Sequence, residues 1–113
     1  MSPRAEGGNQ IQIARRLRRL PRAQAHGITV PVAADPVARL LGLAGLSRER
    51  AGEGLLLPRC RSIHTAGMRF ALDVLFLDEE GELLRVEREI GPMRIVSERG
   101  ARAVLEIPSR RGA

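Results

Sequence analysis

The 113 residues suit one domain, and an apolar fraction of 43% supplies a modest core, which excludes wholesale disorder. The chain has two Phe and no Trp or Tyr, so aromatic stacking on single-stranded nucleic acid is poorly served and the core must come from Leu, Val, Ile, Ala and Met. The net charge of +6 sits at the ends: six Arg face one Glu over residues 1–25, eleven Arg face twelve acids over 26–109, and all nineteen basic residues are Arg.

Residues 1–9 hold Pro, two Gly and no periodic apolar pattern, and read as a disordered tail. IQIARRLRRL, 11–20, fits a helix with Ile13, Leu17 and Leu20 on one face. It also fits a strand in which Ile11 and Ile13 alternate until Arg15 breaks the pattern. Pro21 ends the segment in either case. GITVPVA, 27–33, has the β-branched residues and alternation of a strand, with Pro31 pointing to an edge or a bulge. DPVARLLGLAGL, 35–46, predicts the clearest helix. Asp35 can cap its first turn, Pro36 fits the first helical position, and Gly42 or Gly45 can close it. SRERAGEG, 47–54, is a polar connection.

Strands follow at 54–58 (GLLLP), 61–65 (RSIHT) and 72–78 (LDVLFLD). The last is so continuously apolar that both of its faces should be covered. DEEGE, 78–82, reads as a turn into LLRVERE, 83–89, so 72–89 predicts a hairpin. GPMR, 91–94, is a turn, and ARAVLEIP, 101–108, is a final strand. The pattern predicts an α+β, mainly β fold: a small, compact β-sandwich or barrel with one short capped helix. The expected organisation is a flexible Arg-rich segment over 1–22, one β-rich domain over 23–109 and a tail over 110–113. No apolar run is long enough to span a membrane and the N-terminus is polar, so a cytoplasmic address is the default expectation.

The chemistry-bearing residues crowd into CRSIHTAGMRFALDVLFLD, 60–78. Cys60 and His64 would lie about 13 Å apart along a strand, too far to share one ion bonded at about 2 Å, so no metal is expected. Ser62 and His64 would lie about 6.7 Å apart, beyond hydrogen-bond reach, and no nucleophile elbow is present. Asp73 stands alone in an apolar strand and must be hydrogen-bonded or paired there. Its role as a strand anchor outweighs a ligand role, and Arg69, His64, Thr65 and backbone N–H groups are its candidate partners. A pocket, if present, would be lined by His64, Thr65, Met68 and Asp73, and Arg94 could reach an anion.

GEGLLLPRCRSIHTAGMRFALDVLFLDEEGELLRV, followed by GARAVLEIP, resembles the bacterial and archaeal family called domain of unknown function 192. GLAGL at 42–46, the IHT–GM–F–D–FLD constellation and the closing VLE carry the likeness, which covers roughly residues 27–108. The family usually has Pro where this chain has Ala71. The resemblance implies a small β-rich fold with a short helix. It implies no reaction, cofactor or catalytic residue.

The expected function is therefore a non-enzymatic accessory or small-ligand-binding module without a cofactor. The alternative is an interaction protein whose Arg15, Arg16, Arg18 and Arg19 contact an acidic partner, RNA or an anionic surface. A third reading, an enzyme using Asp73 and His64 as an acid–base pair, lacks a nucleophile or cofactor motif.

Overall fold

The computed structural model describes residues 13–110. In chain order the elements are α1 (Arg15–Arg18), β1 (Arg22–Ala25), β2 (Ile28–Pro31), α2 (Pro36–Leu41), α3 (Arg48–Ala51), β3 (Leu55–Pro58), β4 (Ser62–His64), β5 (Leu72–Leu77), β6 (Leu83–Ile90), β7 (Ile95–Ser97) and β8 (Ala103–Pro108). The fold is mainly β, as the sequence predicts. Its sheets do not close into a barrel, and three short helices occur among the described residues where one was expected.

Strands β3, β8, β5 and β6 form an antiparallel sheet in that order, with β8 and β5 inside it. Both inner strands are covered on both faces, which is why their sequences are so continuously apolar. Leu72, Val74, Phe76 and Val104 point to one side and join the larger core cluster with Leu43, Leu46, Leu55, Leu57, Ile63 and Met68. Leu75, Leu77 and Leu105 point to the other side, where Val30 of the β1–β2 hairpin packs on them. That hairpin turns at His26 and Gly27, both at positive φ, as a two-residue loop requires. A second ribbon, β4 paired with β7, lies beside the larger cluster, and its Ile63 and Val96 are buried there.

Helix α2 begins as expected. The Asp35 carboxylate accepts the Ala38 N–H at 2.8 Å, and Pro36 occupies the first turn. It ends at Gly42, so the apolar residues at 43–46 are not helical. This changes which side chains reach the core. Leu43 and Leu46, beyond the helix end, are buried, whereas Val37 and Leu40 on the helix are 65% and 70% exposed. The polar connection after it contains α3, capped by the Ser47 hydroxyl. β1 and β7 were not anticipated; each is short and acquires its partner through the fold.

The expected tail at 1–9 lies outside the described residues. Within the segment expected as a flexible extension to residue 22, residues 13–22 are built into the domain. Leu17 and Ala14 are core residues, and the Ala14 N–H donates to the Arg50 carbonyl at 2.8 Å. The sequence left helix and strand open for this stretch, and the structure forms one helical turn at Arg15–Arg18 because burying Leu17 against the core requires only a single turn.

Candidate ligand-binding cleft

An acid occupies a core position of the central sheet. In β8, Glu106 pairs in register with Leu55 of β3 on one side and Val74 of β5 on the other. Its side chain therefore shares a face with Val74 and Val104 and is only 4% exposed. Among the described residues, this carboxyl makes no side-chain hydrogen bond or ion pair. Burial disfavours the charged form and pushes its pKa up to about 7.

The Glu106 carboxyl lines a cleft of about 270 Å³. Leu40, Leu41, Gly42, Leu43 and Ala44 form one wall, and Cys60, Ser62, Ile63 and His64 form the opposite wall. Leu57 and Met68 complete its apolar lining. Gly42 lies directly against the acid, since a Cβ placed there would sit 3.7 Å from Glu106 Oε1. The wall at 42–44 is held from outside by Arg16, whose guanidinium donates to the carbonyls of Gly42 at 3.0 Å and Ala44 at 2.7 Å.

Several donors around the cleft are already engaged. The N–H groups of Gly42 and Ala44 donate to the Ala38 and Leu41 carbonyls. The Arg39 guanidinium donates to the carbonyls of Pro58 and Arg59. The Ser62 and Ser97 hydroxyls pair at 2.8 Å, and the Cys60 thiol donates to the Ser62 carbonyl. The cleft thus joins an apolar lining to a buried acceptor that has no donor of its own among the described residues.

The residues singled out from the sequence divide among three places. His64 and Met68 line the cleft, His64 exposed at its edge and Met68 packed in the core. Thr65 does not line it. It is fully buried, its hydroxyl donates to the Gly91 carbonyl at 2.7 Å and accepts the Arg94 N–H at 2.8 Å, and it so fixes the 91–94 turn. Arg94 enters that network through its backbone, and its side chain is exposed. Asp73 lies on the opposite face of the sheet, because β5 alternates and Asp73 shares parity with Leu75 and Leu77 rather than with Val74. It lines a separate depression with Arg88, Glu89, Ile107 and Arg110. The single pocket expected to hold both His64 and Asp73 is therefore not formed.

Sequence reasoning missed Glu106. Beyond its place in the closing VLE of the family likeness, its signal was parity: in ARAVLEIP the acid alternates with Val104, a position that is polar-out in an edge strand and buried in an inner one. The Arg-rich stretch also divides. Arg15, Arg18 and Arg19 are exposed, whereas Arg16 is committed to the cleft wall. Among the described residues no three His, Cys, Asp or Glu side chains converge as a metal would need, and no helix is long and apolar enough to cross a membrane.

A family model described as Uncharacterized ACR, DUF192, matches residues 19–112. Among curated proteins none matches the chain. Two solved structures share the fold. One is a protein of unknown function from Novosphingobium aromaticivorans DSM 12444, with a TM-score of 0.57 and 19% identity over 71% of this chain; the match spans 62% of that protein, less than two thirds of its length. The other is a protein from Sinorhizobium meliloti 1021, provisionally named a transcription regulator, with a TM-score of 0.58 and 22% identity over 78% of this chain and 77% of that one. At these identities the likeness is one of fold alone.

Proposed function

We propose that this chain, which belongs to the domain of unknown function 192 family, is a small-ligand-binding module whose site is the cleft between the 39–44 segment and β4. One observation carries the reading. The Glu106 carboxyl is buried in an apolar face, lines the cleft and has no hydrogen-bond or ion-pair partner among the described residues. A lone buried acid costs stability, and a strand of this kind would pack better with Val or Leu. A residue kept at that cost, facing a cavity with apolar walls and few polar groups, is the usual form of a small-molecule site. The cleft volume suits a molecule of a few carbon atoms rather than a nucleotide. No activated nucleophile adjoins the acid, which favours binding over catalysis: the Cys60 thiol is engaged with the Ser62 carbonyl.

The test is a titration of the methyl-labelled full chain followed by NMR, with n-hexylamine, 1-hexanol and hexanoate as probes. At least one probe should give saturable shifts at the methyls of Leu43, Leu57, Ile63 and Met68. Shifts that scatter over the surface, or grow linearly with every probe, would overturn the reading.

A further inference from the structure

We infer that the cleft selects a cation, namely a small apolar molecule bearing one primary ammonium group, which pairs with the ionised Glu106 carboxylate while its hydrocarbon part packs on Leu40, Leu43, Leu57 and Met68. This rests on the proposed binding role and adds the chemical class of the ligand.

The argument is one of unmatched polarity. Around Glu106 the backbone N–H groups of Gly42 and Ala44, the Arg39 guanidinium and the Cys60 thiol all have acceptors within the protein. Apart from the His64 ring and the Ser62 hydroxyl proton at the exposed rim, what remains is the buried carboxyl, which when ionised offers acceptors only. A ligand carboxylate would meet like charge at Glu106, and the Arg39 guanidinium in the same cleft is already bonded to the Pro58 and Arg59 carbonyls. An alcohol would satisfy one oxygen and leave the charge of the acid unbalanced. An ammonium supplies three donors and the opposite charge, in surroundings where water screens the pair poorly.

The arginine of the cleft is bonded elsewhere, and the strand neighbours of Glu106 carry no charge. Its neighbours on the flanking strands are Leu55 and Val74, neither charged. The titratable or charged residues lining the same cleft are Arg39, Cys60 and His64. Arg16 acts from behind the 42–44 wall through its carbonyl bonds. Neither arginine forms an ion pair with the acid. The raised pKa of about 7 reflects that isolation. Since only the ionised acid attracts an ammonium, binding should tighten as pH rises through about 7. The ammonium of an alkylamine persists to about pH 10, as that of a lysine side chain does.

The experiment compares n-hexylamine, 1-hexanol and hexanoate against the full chain at pH 6 and pH 8. The amine should bind tightest at pH 8, and its Kd should fall about tenfold between the two pH values, as linkage to one ionisation requires. Glu106→Gln, which keeps the shape of the side chain, should erase both the amine preference and the pH dependence while leaving the thermal transition cooperative. His64→Ala, at the exposed edge of the cleft, is the control and should keep the pH dependence. Hexanol or hexanoate binding as tightly as the amine at pH 8, or amine binding unchanged in Glu106→Gln, overturns the cation inference and leaves the small-ligand reading in place. No saturable binding by any probe overturns both.

Discussion

The Asp73 carboxylate accepts the backbone N–H of Glu89 at 2.9 Å, across a bulge where β6 carries one residue more than β5. Leu72 pairs with Ile90 and Val74 with Glu87, so Arg88 and Glu89 together oppose Asp73. Glu89 takes φ of 55°, a conformation that L residues adopt at a cost, and the Asp73 bond helps to hold it. Arg88 adds an ion pair at 3.5 Å, but its side chain is 70% exposed.

Asp73→Ala should therefore lower stability by about 1 kcal/mol, because the Glu89 N–H at the bulge loses its acceptor and the positive-φ residue loses the bond that holds it. Asp73→Asn keeps one acceptor oxygen and should recover much of that loss. Arg88→Ala should change stability by less than about 1 kcal/mol, as exposed pairs do. Urea melts of the four proteins provide the check, and equal midpoints for Asp73→Ala and wild type would refute an anchoring role.

Thr65 makes the corresponding link on the other ribbon. Replacing it by Val keeps the shape but strands the Arg94 N–H and the Gly91 carbonyl in the interior. A cost of about 1–3 kcal/mol is expected, while Thr65→Ser should fall between that variant and wild type. Amide hydrogen exchange should show lost protection at Arg94 in Thr65→Val. If that amide stays protected, the hydroxyl is not what orders the turn.

Glu106 makes stability depend on pH in a defined window. Its folded-state pKa of about 7 lies above the ordinary value of 4.5, so below about 4.5 the group is protonated in both states and the fold loses nothing. Between about 4.5 and 7 the unfolded chain releases a proton that the folded chain retains, and stability falls as pH rises. At ~1.4 kcal/mol per pH unit the total is on the order of 3 kcal/mol. Glu106→Gln has no such ionisation, so its stability relative to wild type should rise by about that amount between pH 4.5 and pH 8. Denaturant titrations of both proteins at three pH values measure it, and parallel pH profiles would rule out a neutral buried acid.

Gly54 tests the packing beneath the cleft. A Cβ there would sit 2.4 Å from the Glu106 carbonyl oxygen, and the residue has φ of +150°. The obstacle is backbone within the central sheet, so it cannot swing aside. Gly54→Ala should cost about 2 kcal/mol or more, or prevent folding. Gly81→Ala, in the open turn between β5 and β6, meets nothing within 4 Å and should cost less despite its positive φ. Thermal melts that rank the two the other way would contradict the sheet geometry at Gly54.

The mainly β character, the β5–β6 hairpin, the Asp35 cap and the doubly covered β5 follow from the sequence, because each depends on local periodicity or on one side chain reaching a nearby backbone group. The start of α2 was legible at Asp35 and Pro36 for that reason, whereas its end at Gly42 was not separable from one at Gly45. Tertiary structure decided the rest. The short strands β1 and β7 exist through their partners. Asp73 and Val74 are adjacent in the chain but serve opposite faces of the sheet, so the acid that looked closest to His64 lies away from it. Glu106, 42 residues after His64, comes to the same cleft because β8 is an inner strand paired on both edges. Whether an alternating acid faces water or a core depends on which strands flank it and what covers the sheet. Those are contacts between residues far apart in the chain, and periodicity along a single strand does not encode them.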